Sequence, residues 1–234
     1  RTTLKKGGTV DFGHGAVFVV YAPWDDILVD KKGQPDLNNN SIVGKFIFGK
    51  FSMLFTGDAE LQEEQRLIKE QNSKLFARIL KVGHHGSRTS SSEDFLKSVK
   101  PESALISCGL YNKYGHPHKE TMDTFKEKGI EVHRSDECGD IVFTSTGNGL
   151  EADCKKGSYN TGANSKYNKT ENTVKTESNT SSIQNENINS YNNNSNESEN
   201  IENKVINNIN IEKDEFVKGE DNYFTATLRA NTIK

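Results

Sequence analysis

Three short segments carry side chains able to hold a cation or move a proton: Phe55-Thr56-Gly57-Asp58, Val82-Gly83-His84-His85-Gly86-Ser87 and Tyr114-Gly115-His116-Pro117-His118. One carboxylate and several imidazoles, each set after an apolar run, are the materials from which a metal-dependent hydrolase assembles a site out of separate strand-end loops. Asp58 follows Phe51, Met53, Leu54 and Phe55, with Gly57 allowing a sharp turn, so its carboxylate stands at the mouth of a buried strand and suits a hard or borderline cation. The same Asp also suits the cap of a following helix. His84 and His85 lie between glycines, are costly to bury and are poor helix formers. In a strand-end loop their side chains diverge, so that one ligates a metal while the other faces substrate; a plain surface pair ahead of a Gly-Ser turn is the simpler alternative.

The following Ser87, Arg88, Thr89 and Ser90–Ser92 offer hydroxyls and one guanidinium, a composition fit for phosphate and equally for an exposed loop. His116 precedes Pro117 and the expected start of a helix, whose free amides favour an anion, so its ring is placed to donate to a phosphoryl oxygen or a leaving group. His118 falls in the first turn, where solvent is its expected neighbour. His14 and His133 lack any such convergence and read as structural. Cys108 reads as a buried strand-end thiol, since no dedicated base accompanies it.

The elements that must position these residues follow from periodicity. Strands are predicted over 16–21, 42–48, 51–55, 75–82, 103–107, 130–133 and 140–145, with Gly49-Lys50 as a hairpin turn. Helical spacing of Leu61, Glu64, Leu67 and Ile68 predicts a helix over 59–71, directly after Asp58. A capping-box-like Ser90–Ser92 with Glu93 and Asp94 predicts a short helix through Val99. Pro117 at the first position and Gly129 as the stop predict a third, to about Lys128. Alternation of strand and helix after Asp58 is the pattern of an α/β layer.

Composition divides the chain. Mean hydropathy is −0.77, low for a chain folded throughout. The dilution is local, for 17 of the 53 residues from Ser158 to Asn210 are Asn. Residues 1–154 are therefore expected to fold, 155–212 to form an Asn-rich disordered segment, and 213–234 to be a short segment of undecided structure. The net charge of −3 lacks the basic excess of a protein held mainly by nucleic-acid phosphates, though it leaves room for a local substrate groove. Three cysteines, widely spaced and without a Cys-x-x-Cys pair, indicate neither a disulfide framework nor a thiolate zinc knot. No run approaches the ~20 apolar residues of a membrane span. No protein partner is implied.

Four motifs in order, namely Asn38-Asn39-Asn40-Ser41-Ile42-Val43, Leu54-Phe55-Thr56-Gly57-Asp58-Ala59-Glu60, the run from Leu80 to Ser92, and Ile106-Ser107-Cys108-Gly109 with Tyr114-Gly115-His116-Pro117-His118, resemble the metallo-β-lactamase-fold domain of ComEC-type competence proteins over roughly residues 8–150. The resemblance implies an αββα sandwich with two divalent metal ions, zinc or manganese, at one edge. It implies Asp58 as a metal-bridging carboxylate, a metal ligand in the His pair, assigned to His85, with His84 toward the scissile phosphate, and His116 in contact with substrate or leaving group. It further implies a phosphodiester substrate such as nucleic acid in DNA uptake, and an extracellular or membrane-associated location.

The family's first metal motif, a His-x-His-x-Asp-His segment or its Asp-substituted variant, has no equivalent among the 234 residues. The chain is therefore expected to carry the C-terminal half of such a domain, inactive by itself and weak in metal binding. Two other readings stand beside it: a catalytically inactive remnant serving as a binding module, and a hydrolase of small esters, lactones or thioesters.

Overall fold

The computed structural model describes residues 3–154, 157–162 and two further strands, Ile209–Glu212 and Phe224–Leu228. A mixed sheet of seven strands runs in sequence order: β1 (Thr9–Gly13), β2 (Ala16–Ala22), β3 (Val43–Phe48), β4 (Phe51–Phe55), β5 (Ile79–Lys81), β6 (Ser103–Ile106) and β7 (Glu131–Arg134). β1 to β4 are antiparallel neighbours, and β4 to β7 are parallel. The parallel strands need crossovers, which helices α1 (Leu61–Gln71), α2 (Glu93–Val99) and α3 (Lys119–Glu127) supply. A second, antiparallel sheet has the order β10 (Ile209–Glu212), β11 (Phe224–Leu228), β8 (Ile141–Ser145), β9 (Glu151–Ala152).

Alternation along each strand divides the apolar residues between two cores. Leu54, Leu80, Ala104 and Val132 point to the helices, where they meet Leu67 of α1, Phe95 and Leu96 of α2, and Met122 and Phe125 of α3. Their strand neighbours Met53, Ile79 and Leu105 point the other way, joining Phe46, Phe48 and Phe51 against Ile141 and Phe143 of β8. The central strands are thus apolar on both faces, as covered parallel strands must be. This is an α/β architecture with helices on one face of the large sheet and strands on the other.

Every strand and helix foreseen between residues 16 and 145 is present, with shifted ends. β5 is only Ile79–Lys81, because Leu75 closes a 3-10 turn after α1. The cap of α2 is real: Ser92 Oγ accepts from the Phe95 amide at 3.4 Å. Pro117 corrects the helix expectation, since α3 starts at Lys119 with His118 as its cap residue and the His116-Pro117 bond is cis. Asp58 does not cap α1 either; the helix begins at Leu61 behind Glu60.

Four features go beyond the sequence expectation. β1 and the one-turn helix α4 (Ser135–Cys138) have too few apolar residues to show a period. Cys138 and Cys154 form a disulfide, a correction to the cysteine reading, tying α4 to the strand β9 region. Residues 157–162 lie against β7: the Gly157 amide donates to Val132 O, Tyr159 Oη to Ile130 O, and the buried Arg134 reaches Asn160 O while pairing with Asp136. The expected disorder of the Asn-rich segment, apart from 157–162 and β10, lies outside the described residues.

Candidate active site

Because β4, β5 and β6 are parallel, their C-terminal ends open on one edge of the sheet, the usual place for a ligand in an α/β fold. Thr56 Oγ1 donates to Lys81 O at 2.7 Å, and the His84 amide donates to Gly57 O at 3.2 Å, so the loops after β4 and β5 are joined at their roots. β3 runs antiparallel to β4, which brings its leading segment to the same edge; there Ser41 Oγ accepts from the Asp58 amide at 3.0 Å. Gly57 has φ +54°, and a Cβ there would lie 2.9 Å from Ser41 Oγ, so only glycine allows this approach.

His85 Nδ1 lies 2.6 Å from the Ser107 carbonyl oxygen and must donate to it. Burial, helped by the Lys81 ammonium, pushes the His85 pKa down, so the ring is neutral and its Nε2 carries a bare lone pair. That nitrogen faces Asp58 Oδ1 at 3.5 Å. Two electron-rich acceptors aimed at each other, one locked by a backbone carbonyl, are what a divalent cation asks of its first two ligands. Asp58 and His85 therefore fit a metal, but they do not complete a site. Among the described residues no group of three or more His, Cys, Asp or Glu is placed to hold one.

His84 turns away from that pair. Its Nδ1 donates to Glu60 Oε1 at 2.9 Å, an oxygen that also accepts from Thr89 Oγ1 at 2.9 Å and Asn38 Nδ2 at 3.4 Å. These donors, His84 foremost, hold the Glu60 pKa below its ordinary value. His84 and His85 both take left-handed backbone angles, φ 44° and 56°, which is how adjacent residues aim their rings at different partners.

The loop after β6 brings a third ring. His116 is buried, its centroid 5.5 Å from His84 and 6.0 Å from His85. Burial first, then the neighbouring His118, His85, His84 and Arg88, push its pKa down to about 3, so at neutral pH it acts through a neutral N–H or lone pair. His118 is half-buried rather than turned to solvent. It accepts the Arg88 amide on Nδ1 at 3.0 Å and donates from Nε2 to Tyr114 O at 3.1 Å, latching the two histidine loops together. Gly86, φ +83°, packs so closely on Pro117 that a Cβ would stand 2.6 Å from the ring.

The structure thus brings Asp58, His84, His85 and His116 to one edge. His14 sits in the β1–β2 turn at the opposite edge, and His133 packs its ring on Phe143 at 5.3 Å in the second core. Burial raises the Cys108 pKa far above the ordinary thiol range, which suits its structural reading. Sequence reasoning missed Glu60 and the buried Lys81, whose ammonium donates to Val82 O at 2.8 Å close enough to Asp58 to feel its charge. Glu60 lies two residues past Asp58 in the same motif, so proximity was its one signal. Lys81, in an apolar strand, was marked by its misplaced charge.

These features define an α/β protein with a carboxylate and imidazole cluster where three parallel strands end. No family model matches the chain. It is 39% identical over 106 residues to ComE operon protein 3 of Bacillus subtilis (strain 168), covering 45% of this chain and 14% of that protein. It is 36% identical over 117 residues to Competence protein ComA of Neisseria gonorrhoeae, covering 50% and 17%. Recombination protein 2 of Haemophilus influenzae is 42% identical over 92 residues, covering 37% and 10%. The chain is thus similar to proteins of which one is named for competence and one for recombination, and it spans under a fifth of the length of each. No helix among the described residues is long and apolar enough to cross a membrane.

Proposed function

We propose that this chain contributes part of the metal site and the substrate-facing histidines of a metal-dependent phosphodiester hydrolase, of the ComEC-like metallo-β-lactamase branch, acting on nucleic acid during DNA uptake. The carrying observation is the Asp58 Oδ1 and His85 Nε2 pair, two acceptors 3.5 Å apart with the His tautomer fixed from behind. A divalent ion, zinc or manganese, supplies Lewis acidity toward a phosphoryl oxygen when bound. Asp58 and His85 hold it. His84, whose Nδ1–H is held by Glu60, and His116 turn their remaining ring nitrogens toward the phosphate or the leaving oxygen, and the exposed Arg88 of the 87–92 loop stands beside the anion. A location outside the cytoplasm is supported by the Cys138–Cys154 disulfide, which an oxidising compartment preserves.

A second reading, a non-catalytic binding module, is favoured by the lack of a third clustered ligand among the described residues. The two separate on bis-p-nitrophenyl phosphate, incubated with Mn²⁺ or Zn²⁺ and the product of the complete reading frame that contains these residues. The hydrolase reading expects metal-dependent turnover that falls about 100-fold or more in Asp58→Ala. Unchanged turnover in that variant refutes the assigned role. The 234-residue chain by itself should lose zinc on dialysis, as elemental analysis would show.

A further inference from the structure

We infer that the loop over residues 109–115 is a nucleobase-stacking platform beside the histidine cluster, and that its ligand is a single-stranded nucleic acid. The inference rests on the reading of the cluster as a phosphodiester site. Its first support is ring geometry. Tyr114 lies 5.7 Å from His116 at an interplanar angle of 21°, and His116 lies 6.0 Å from His85 at 22°. Two stacked pairs sharing His116 thus lead from the carboxylate and imidazole pair to the surface, where Tyr114 is 43% exposed.

The second support is rigidity without burial. Asn112 Nδ2 donates to Gly109 O and His116 O at 2.9 and 2.8 Å, and its Oδ1 accepts the His116 amide at 2.9 Å. His118 holds the Tyr114 carbonyl from the other side. A loop clamped this firmly still leaves Leu110, Tyr111 and Tyr114 open to solvent. Large exposed rings on a fixed backbone serve a partner with flat faces.

Charge is the third support. Lys113 Nζ lies over the Tyr114 ring, 5.0 Å from its centroid, so an incoming base displaces this flexible cation toward its own phosphate, and residues 109–118 contain no carboxylate. Across the His118 latch, Arg88 is exposed, paired only loosely with Glu120 at 3.5 Å. A base on Tyr114 would set its phosphates between these two cations, while the adjoining phosphodiester reached His116. Paired bases inside a duplex hide the face that such stacking needs, which selects single strands.

The test is fluorescence anisotropy of the 234-residue chain in EDTA with fluorescein-labelled dT12 and with a 12-mer of abasic sites carrying the same charge. The platform predicts about 10-fold tighter binding of dT12, within the range for stacking on one aromatic ring. Tyr114→Leu should bring the ratio near one, and Tyr114→Trp should keep it. Equal affinity for the two oligonucleotides, no binding of either, or a preference that survives Tyr114→Leu would overturn the proposal. A missing base preference alongside metal-dependent hydrolysis of bis-p-nitrophenyl phosphate removes the platform alone. A base preference without hydrolysis supports the platform and removes the catalytic reading.

Discussion

From β4 to β7 the strands run parallel and each ends at the same edge, whereas from β1 to β4 they alternate and the chain turns back at both edges. The parallel half delivers three loops to one place, and those loops carry Asp58, His84, His85 and His116. The antiparallel half delivers aromatic residues to the core: Phe46 packs against Phe12 and Phe51, with centroids 5.9 and 6.1 Å apart. Convergence of polar groups is thus a product of strand direction, and the half that lacks it supplies mainly apolar burial. One half should respond to mutation in chemistry and the other in stability.

The largest stability effect is expected in the antiparallel half. Phe46→Ala removes a buried ring from the second core and should cost about 3–5 kcal/mol in urea unfolding, enough to unfold a marginal domain. Asp58→Ala, by contrast, should cost clearly less, because it empties no apolar position in either core. Equal losses in the two variants would break the division of labour.

Next comes the staple. Cys138 and Cys154, 16 residues apart, close a loop whose cross-link contributes about 3 kcal/mol on chain-entropy grounds. Reduction, or Cys138→Ser with Cys154→Ser, should lower the thermal midpoint by several degrees, while buried Cys108 stays unreactive to thiol reagents in the native protein. A labile Cys108 in the oxidised protein would show that the helix-side core opens where it is described as closed.

The smallest effect lies where the halves meet. Glu63 of α1 is buried beneath Trp24, whose Nε1 donates to it at 2.8 Å, and burial raises its pKa to about 7 against that bond and the nearby Arg66. The folded state therefore keeps a proton that the unfolded chain releases in the ordinary carboxylate range. Stability from this group is full below about pH 4.5 and is lost as pH rises through 7. Glu63→Gln should flatten that slope in pH-dependent denaturation, and an unaltered slope would assign it elsewhere.

How much of this was legible in the sequence follows the same division. The strands and the three crossover helices were readable because their apolar residues repeat, and Asp58 and the His pair because glycines and a preceding apolar run frame them. The partners of these groups were not. Glu60 binds His84 across 24 positions, His118 joins a loop 30 positions away, and Cys138 finds Cys154 with no short-range motif. Such pairings are decided by which loops the sheet brings together, a property of topology that no local pattern contains. Pro117 misled for a related reason: its usual place at a helix start was overridden by the packing of its ring on Gly86.

The central claim is that His85 holds its Nδ1 proton against Ser107 and offers Nε2, with Asp58, to a divalent cation. Long-range ¹H–¹⁵N spectra of the histidine rings, recorded on the chain during a Zn²⁺ titration, read that arrangement directly. The account predicts the Nδ1–H tautomer for His85 without metal, and a zinc-dependent shift of its Nε2 that vanishes in Asp58→Ala and spares His14 and His133. An Nε2–H tautomer, or zinc shifts that leave His85 untouched, would contradict it.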